Sequence, residues 1–154
     1  TRGMSFIDMA YLKKSDLKNG IITYRRRKTG QQLTVKWEKC MEDIIAKYGE
    51  NTATRYLLPI ITNPCSDERT QYRNAICRIN VALKEVASLA GLNIPLTMHV
   101  ARHCWASVAK SKNIPLSVIS EGMGHDSEET TRIYLASLDA SVVDKANSLI
   151  LKDF

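Results

Sequence analysis

The sequence holds no apolar run near the ~18 residues that a membrane-spanning helix needs, and no signal-peptide pattern opens it. None of its four cysteines (Cys40, Cys65, Cys77 and Cys104) forms a C-x-x-C pair. Their spacings of 25, 12 and 27 residues match no common zinc ribbon or disulfide scaffold. The expectation is buried thiols in a reducing, cytoplasmic setting. Internal repeats and low-complexity segments are absent. Gly3-Met4-Ser5-Phe6-Ile7 lacks the second glycine of a nucleophile elbow, which argues against a serine hydrolase built on Ser5. His99 and His103 have the i, i+4 spacing of metal ligands. Position 100 is valine where a zinc protease has glutamate, and no third ligand is evident, so no metal site is expected.

What remains is 154 residues, 44% hydrophobic and 25% charged, which fits one soluble domain with an ordinary core. The net charge of +6 is uneven. Residues 1–40 hold 10 Lys/Arg against 3 Asp/Glu, or +7, while residues 41–154 hold 12 against 13, or −1. Such asymmetry favours a polyanionic partner, nucleic acid first. A solvated surface strip gives the same excess, and charge alone leaves both open.

The pattern predicts a mainly α (α+β) fold with a small antiparallel sheet of two or three strands near the start. Met4, Ile7, Ala10 and Tyr11 have helical spacing, so a first helix is expected over residues 4–12. The chain thus begins inside a helix without an initiator methionine, as expected of a piece of a longer protein. Asn19-Gly20 and Thr29-Gly30 bracket a strand at Ile21–Lys28, followed by the alternating Gln31–Trp37, with Asp16–Lys18 as a third strand. A helix is expected from Glu38 to Tyr48, then an apolar connector over 56–65. Ser66 is expected to cap a long helix with the stripe Tyr72, Ala75, Ile76, Ile79, Leu83, Val86, Ala87 and Ala90. Thr97 caps the next helix, to about Lys112. Pro115 opens a short one ending at Gly122–Gly124, and Asp126 or Ser127 caps another to about Ser137. An amphipathic helix over Ser141–Lys152 ends the chain.

Four short patterns can carry chemistry. His99 and Arg102 are i and i+3 near a helix start, where a guanidinium fork and an imidazole suit a phosphate oxygen. Gly124-His125 places a second histidine in a loop between helices, though an incidental histidine in a turn reads the same way. Tyr134 follows nine residues later, where a tyrosine on an amphipathic helix is ordinarily core or rim. Arg25-Arg26-Arg27-Lys28 lies on the hairpin. Alternation places Arg26 with Lys28, and the run is either a DNA phosphate tracker or a solvated tip.

As an ordered set, Lys28-Thr-Gly, H-x-x-R at His99–Arg102, Gly124-His125 and Tyr134 resemble the catalytic domain of the tyrosine recombinase (phage integrase) family. The resemblance covers almost the whole chain and is most specific over residues 97–134. TRGMSFIDMAYL and YRRRKTGQQL are similar to integrases of mobile elements, conjugative transposons among them, of anaerobic gut bacteria. The resemblance implies a single C-terminal catalytic domain, residues 1–154, of a longer integrase whose DNA-binding domains lie upstream. It implies site-specific recombination of double-stranded DNA through a 3′-phosphotyrosine intermediate, with no metal or other cofactor. Tyr134 would be the nucleophile and Arg102 would hold the scissile phosphate. His99 and His125 would contact its oxygens, with His99 also assisting proton transfer at the tyrosine. Lys28 would protonate the leaving 5′-oxygen. Self-assembly on DNA would run through 141–154, by docking in trans, although packing in cis fits the pattern equally well.

One position departs from the family. Its first box reads roughly R-x-S-E-L, and aligning the acidic residue with Asp8 puts Ser5 where the arginine belongs. A hydroxyl cannot replace a guanidinium. Arg2, one helical turn earlier, and Arg26, from the hairpin, are the candidate substitutes. The competing reading is a DNA-binding or regulatory module that kept the fold and lost cleavage. A type IB topoisomerase fits the short G-H-x₈-Y spacing less well, and a zinc-binding domain comes last.

Overall fold

The computed structural model describes residues 2–48 and 53–136, and its element order is that of the sequence pattern. Helix α1 spans Phe6–Ala10 and is followed by a 3₁₀ turn at Lys14–Asp16. Strands β1 (Leu17–Lys18), β2 (Ile21–Arg25) and β3 (Gln32–Lys36) form one antiparallel sheet in that order. Then come α2 (Lys39–Ile45), α3 (Glu68–Leu89), α4 (Met98–Ser111), α5 (Leu116–Met123) and α6 (Glu128–Ala136).

Asn19 and Gly20 both take positive φ (50° and 73°), as a two-residue hairpin loop demands, and they join β1 to β2. In the next hairpin Ile22 pairs with Val35 and Tyr24 with Leu33. These four side chains face inward while their neighbours face solvent. With Met4 and Leu12 they make a first core under the sheet. Ala106, Ile119, Met123 and Leu135 make a second core among α4, α5 and α6.

Several boundaries differ from the expectation. Helix α1 is shorter because Ser5 caps it: its hydroxyl accepts from the Asp8 amide at 3.4 Å. Met4 lies outside that helix and packs into the first core. Strand β2 stops at Arg25, and a turn closes from the Arg26 amide to the Gln31 carbonyl at 2.8 Å. Lys28 is therefore in the turn, and alternation does not pair it with Arg26. Asp67, rather than Ser66, caps α3, accepting from the Thr70 amide at 2.7 Å. The stripe on α3 keeps its period, yet only Ala75 and Ala87 are buried. Thr97 caps α4 as expected, and Ser127 accepts from the Thr130 amide at 3.2 Å, capping α6. All four cysteines are exposed, which corrects the expectation of buried thiols. No helix among the described residues is long and apolar enough to cross a membrane. The expected helix over 141–152 lies outside the described residues.

Candidate active site

The site forms at the seam between the two cores, and two arginines cross it. Arg102 projects from α4 and is buried. Its Nη1 donates to the Gly3 carbonyl and its Nη2 to the Met123 carbonyl, both at 2.5 Å. Arg26 comes from the hairpin turn, is also buried, and donates through Nη1 to the Gly124 carbonyl. Charge-assisted bonds of this kind contribute ~1.5–3 kcal/mol each, so both guanidiniums fasten the hairpin half to the helical half.

Gly124 makes that approach feasible. Its φ of +64° is left-handed. A Cβ there would come within 2.9 Å of Leu33 Cδ1 and 3.1 Å of Arg26 Cδ. Only glycine satisfies both demands.

His125 follows directly. Its Nδ1 lies 2.8 Å from the hydroxyl of the fully buried Thr131, and its Nε2 lies 3.5 Å from Arg102 Nη2. Arginine is a donor only, so the lone pair is assigned to Nε2 and the proton to Nδ1, which donates to Thr131. Burial, then the charges of Arg102, Arg26 and Lys28, push the His125 pKa from 6.5 down to about 4 against the opposing Asp126.

Tyr134, on α6, is ringed by imidazoles. His103 stacks on it with centroids 3.7 Å apart and planes 3° apart. His125 and His99 meet it edge-on at 5.5 and 5.8 Å. Burial raises the Tyr134 pKa, and the Arg102 and Arg26 charges oppose the rise.

The structure thus brings together Arg102, His125, Tyr134 and His99 from the sequence reading, and adds Arg26 from the basic run. Lys28 is exposed on the turn, with its charge felt at His125. The rest of the run divides: Arg25 is exposed, and Arg27 stacks its guanidinium 3.8 Å over the Tyr11 ring. Arg2 is elsewhere. Helix α1 begins at Phe6, so Arg2 is not on its face; it has φ of 52° and donates to the Thr34 carbonyl at 3.4 Å on β3.

Sequence reasoning missed Tyr24 and Thr131, and weighed His103 only as a metal ligand. Tyr24 is buried beneath the arginines, its pKa raised to about 12 by burial and then Asp8, with Arg102 and Arg26 opposing. Tyr24 lies in the expected strand, but nothing in the sequence says what it faces. Among the described residues no three metal-ligating side chains cluster. Two guanidiniums beside one buried carboxylate, Asp8, give a cationic seam suited to an anion.

Residues 3–141 match the sequence profile of the phage integrase family. The chain belongs to that family. In fold this integrase-family chain is similar to XerA recombinase, at 22% identity and TM-score 0.68, covering 96% of this chain and 52% of that one. It is similar to XerH site-specific recombinase in a pre-cleavage complex with difH substrate, at 21% identity and TM-score 0.64, covering 96% and 43%. A lambda integrase dimer bound to a COC′ core site matches at 18% identity and TM-score 0.55, covering 86% and 38%. The integrase-family chain therefore spans about half, or less, of the length of these recombinases. No curated protein matches it in sequence.

The depressed His125 pKa has a testable consequence. Between about pH 4 and 6.5 the unfolded chain binds a proton at this ring that the folded chain does not. Stability therefore falls as pH drops through that window. His103 is lowered too, by burial first, and acts in the same direction. Wild type is expected to lose more melting temperature from pH 7 to pH 5 than His125→Gln does; equal losses would show that His125 is not held neutral. In NMR titration its midpoint should rise when a phosphodiester binds, because the anion offsets Arg102.

Proposed function

We propose that this chain is the catalytic part of a longer site-specific DNA recombinase of a mobile element, working in the cytoplasm. The Tyr134 oxygen attacks a DNA phosphorus. The bond to the 5′-oxygen breaks, a 3′-phosphotyrosyl bond forms, and the leaving oxygen takes a proton from Lys28 to become a free 5′-hydroxyl. His99 assists removal of the phenol proton. Arg102, His125 and Arg26 hold the phosphate oxygens. The covalent bond replaces the one broken, so reversal by another 5′-hydroxyl rejoins strands without ATP. Phosphoryl transfer needs charge neutralisation and alignment, which arginine, lysine and histidine supply. Target affinity comes largely from upstream domains, and 141–154 joins protomers assembled on DNA.

The observation that carries this reading is the convergence of Tyr134 with two buried guanidiniums and the imidazole edges of His99 and His125. The direct test mixes the protein with supercoiled plasmid in EDTA and quenches with SDS. The expected product is protein linked to a DNA 3′ end beside a free 5′-hydroxyl. A 5′ linkage, or cleavage only with added metal, would overturn the mechanism.

For the missing first-box arginine, Arg26 is the better substitute. Ser5 Oγ donates to Asp8 Oδ2 at 2.5 Å, and Arg26 Nε lies 3.9 Å from that same oxygen. The hairpin thus brings a guanidinium to the carboxylate that Ser5 holds, whereas Arg2 is engaged on β3. Arg26→Ala should abolish adduct formation, and adding Ser5→Arg should restore part of it. A cleavage rate within about threefold of wild type in Arg26→Ala would remove Arg26 from the site. The alternative, a DNA-binding module without cleavage, draws support from Ser5 itself and from the two Arg102 donors engaged by backbone carbonyls.

A further inference from the structure

We propose that His103 is a positioning residue for Tyr134, its imidazole forming the platform that sets the angle of the tyrosine ring; the inference rests on the strand-cleavage reading. Arg102 and His103 are neighbours on α4 with divided duties: the guanidinium turns into the seam, while the imidazole lies flat on the Tyr134 ring, 3.7 Å between centroids. His99, one turn earlier, closes the edge of both, 4.5 Å from His103 and 5.8 Å from Tyr134. With His125 edge-on at 5.5 Å, three imidazole rings limit how the phenol can rotate about its side-chain bonds.

The polar atoms of His103 do not explain its place. Its Nδ1 is buried and has no hydrogen-bond partner among the described residues. An imidazole held for hydrogen bonding would not leave that nitrogen unpaired. Ring contact is what the geometry offers instead. A neutral ring also suits this position: burial first, then the His99 and Arg102 charges, lower the His103 pKa.

The test compares His103→Ala, His103→Phe and wild type in three measurements: DNA affinity, adduct rate at saturating DNA, and the ring signals of Tyr134 in protein carrying ¹³C-labelled tyrosine, assigned with Tyr134→Phe. His103→Ala is expected to bind DNA as wild type does and to form adduct at least about tenfold more slowly, as misplacement of a reacting group costs rate. Its Tyr134 signals move toward unstacked positions. His103→Phe restores the saturated rate and the stacked signals. Should His103→Ala fail to fold, His103→Leu, bulky but without a ring face, is read the same way. Equal adduct rates in the alanine and wild-type proteins, or failure of phenylalanine to restore the rate, overturns the proposal. A wild type that forms no adduct overturns the cleavage reading alone. Unmoved ring signals in His103→Ala would then refute the positioning role independently.

Discussion

Tyr134→Phe is expected to bind DNA with wild-type affinity and to form no covalent adduct. The substitution removes one oxygen and keeps the ring, so the stack on His103 and the edge contacts with His99 and His125 persist. Folding is little disturbed, because Tyr134 adds to the rim of the second core through its ring. What disappears is the only atom that bonds to phosphorus in the proposed step. Loss should therefore be complete in an SDS-quenched assay. An adduct surviving in Tyr134→Phe would mean that another side chain attacks.

Arg102→Ala is expected to slow strand cleavage by ~3 kcal/mol or more, about a hundredfold or greater, by comparison with the loss of a donor that stabilises transition-state charge. The structure complicates this experiment, since Arg102 also fastens Gly3 and Met123 across the seam. Arg102→Lys separates the two effects: it keeps the charge and loses the planar fork. Both variants should melt lower than wild type, and both should cleave far more slowly even at temperatures where they are fully folded. Five N–H donors belong to this guanidinium. The two engaged by carbonyls leave others for a phosphate. A loss in cleavage below tenfold in folded Arg102→Ala would contradict the role.

The local signals in the sequence were those with a local physical cause. Asn19-Gly20, the Thr97 cap and the left-handed Gly124 each act within a few residues, and each sits where the pattern put it. H-x-x-R, G-H and the tyrosine were legible because two helices and one turn carry them in nearly fixed offsets. Arg26 was not separable from its basic neighbours, because its distinguishing partner, the Gly124 carbonyl, is 98 residues away. Thr131 carries no pattern either; its position one turn into α6 matters only once His125 folds back over it. The cysteines misled in the opposite sense. The lack of a ribbon or scaffold spacing pointed to buried thiols, but spacing says nothing of which face a residue takes; Cys77 lies off the α3 stripe and, like the other three, is exposed.

Arg26 and Lys28 stand two residues apart on one turn. In the proposed mechanism, one helps hold the phosphate and the other releases the leaving strand. In that mechanism their shared mounting would couple part of the grip on the phosphate to proton delivery. If the turn lifts, Arg26 and Lys28 depart together, while Arg102, His125 and Tyr134 stay on the helical half, so a bound phosphate would lose its second guanidinium and its proton donor at once. With the second guanidinium on the hairpin, the proposed mechanism would make docking of one small turn against Gly124 the step that completes the site.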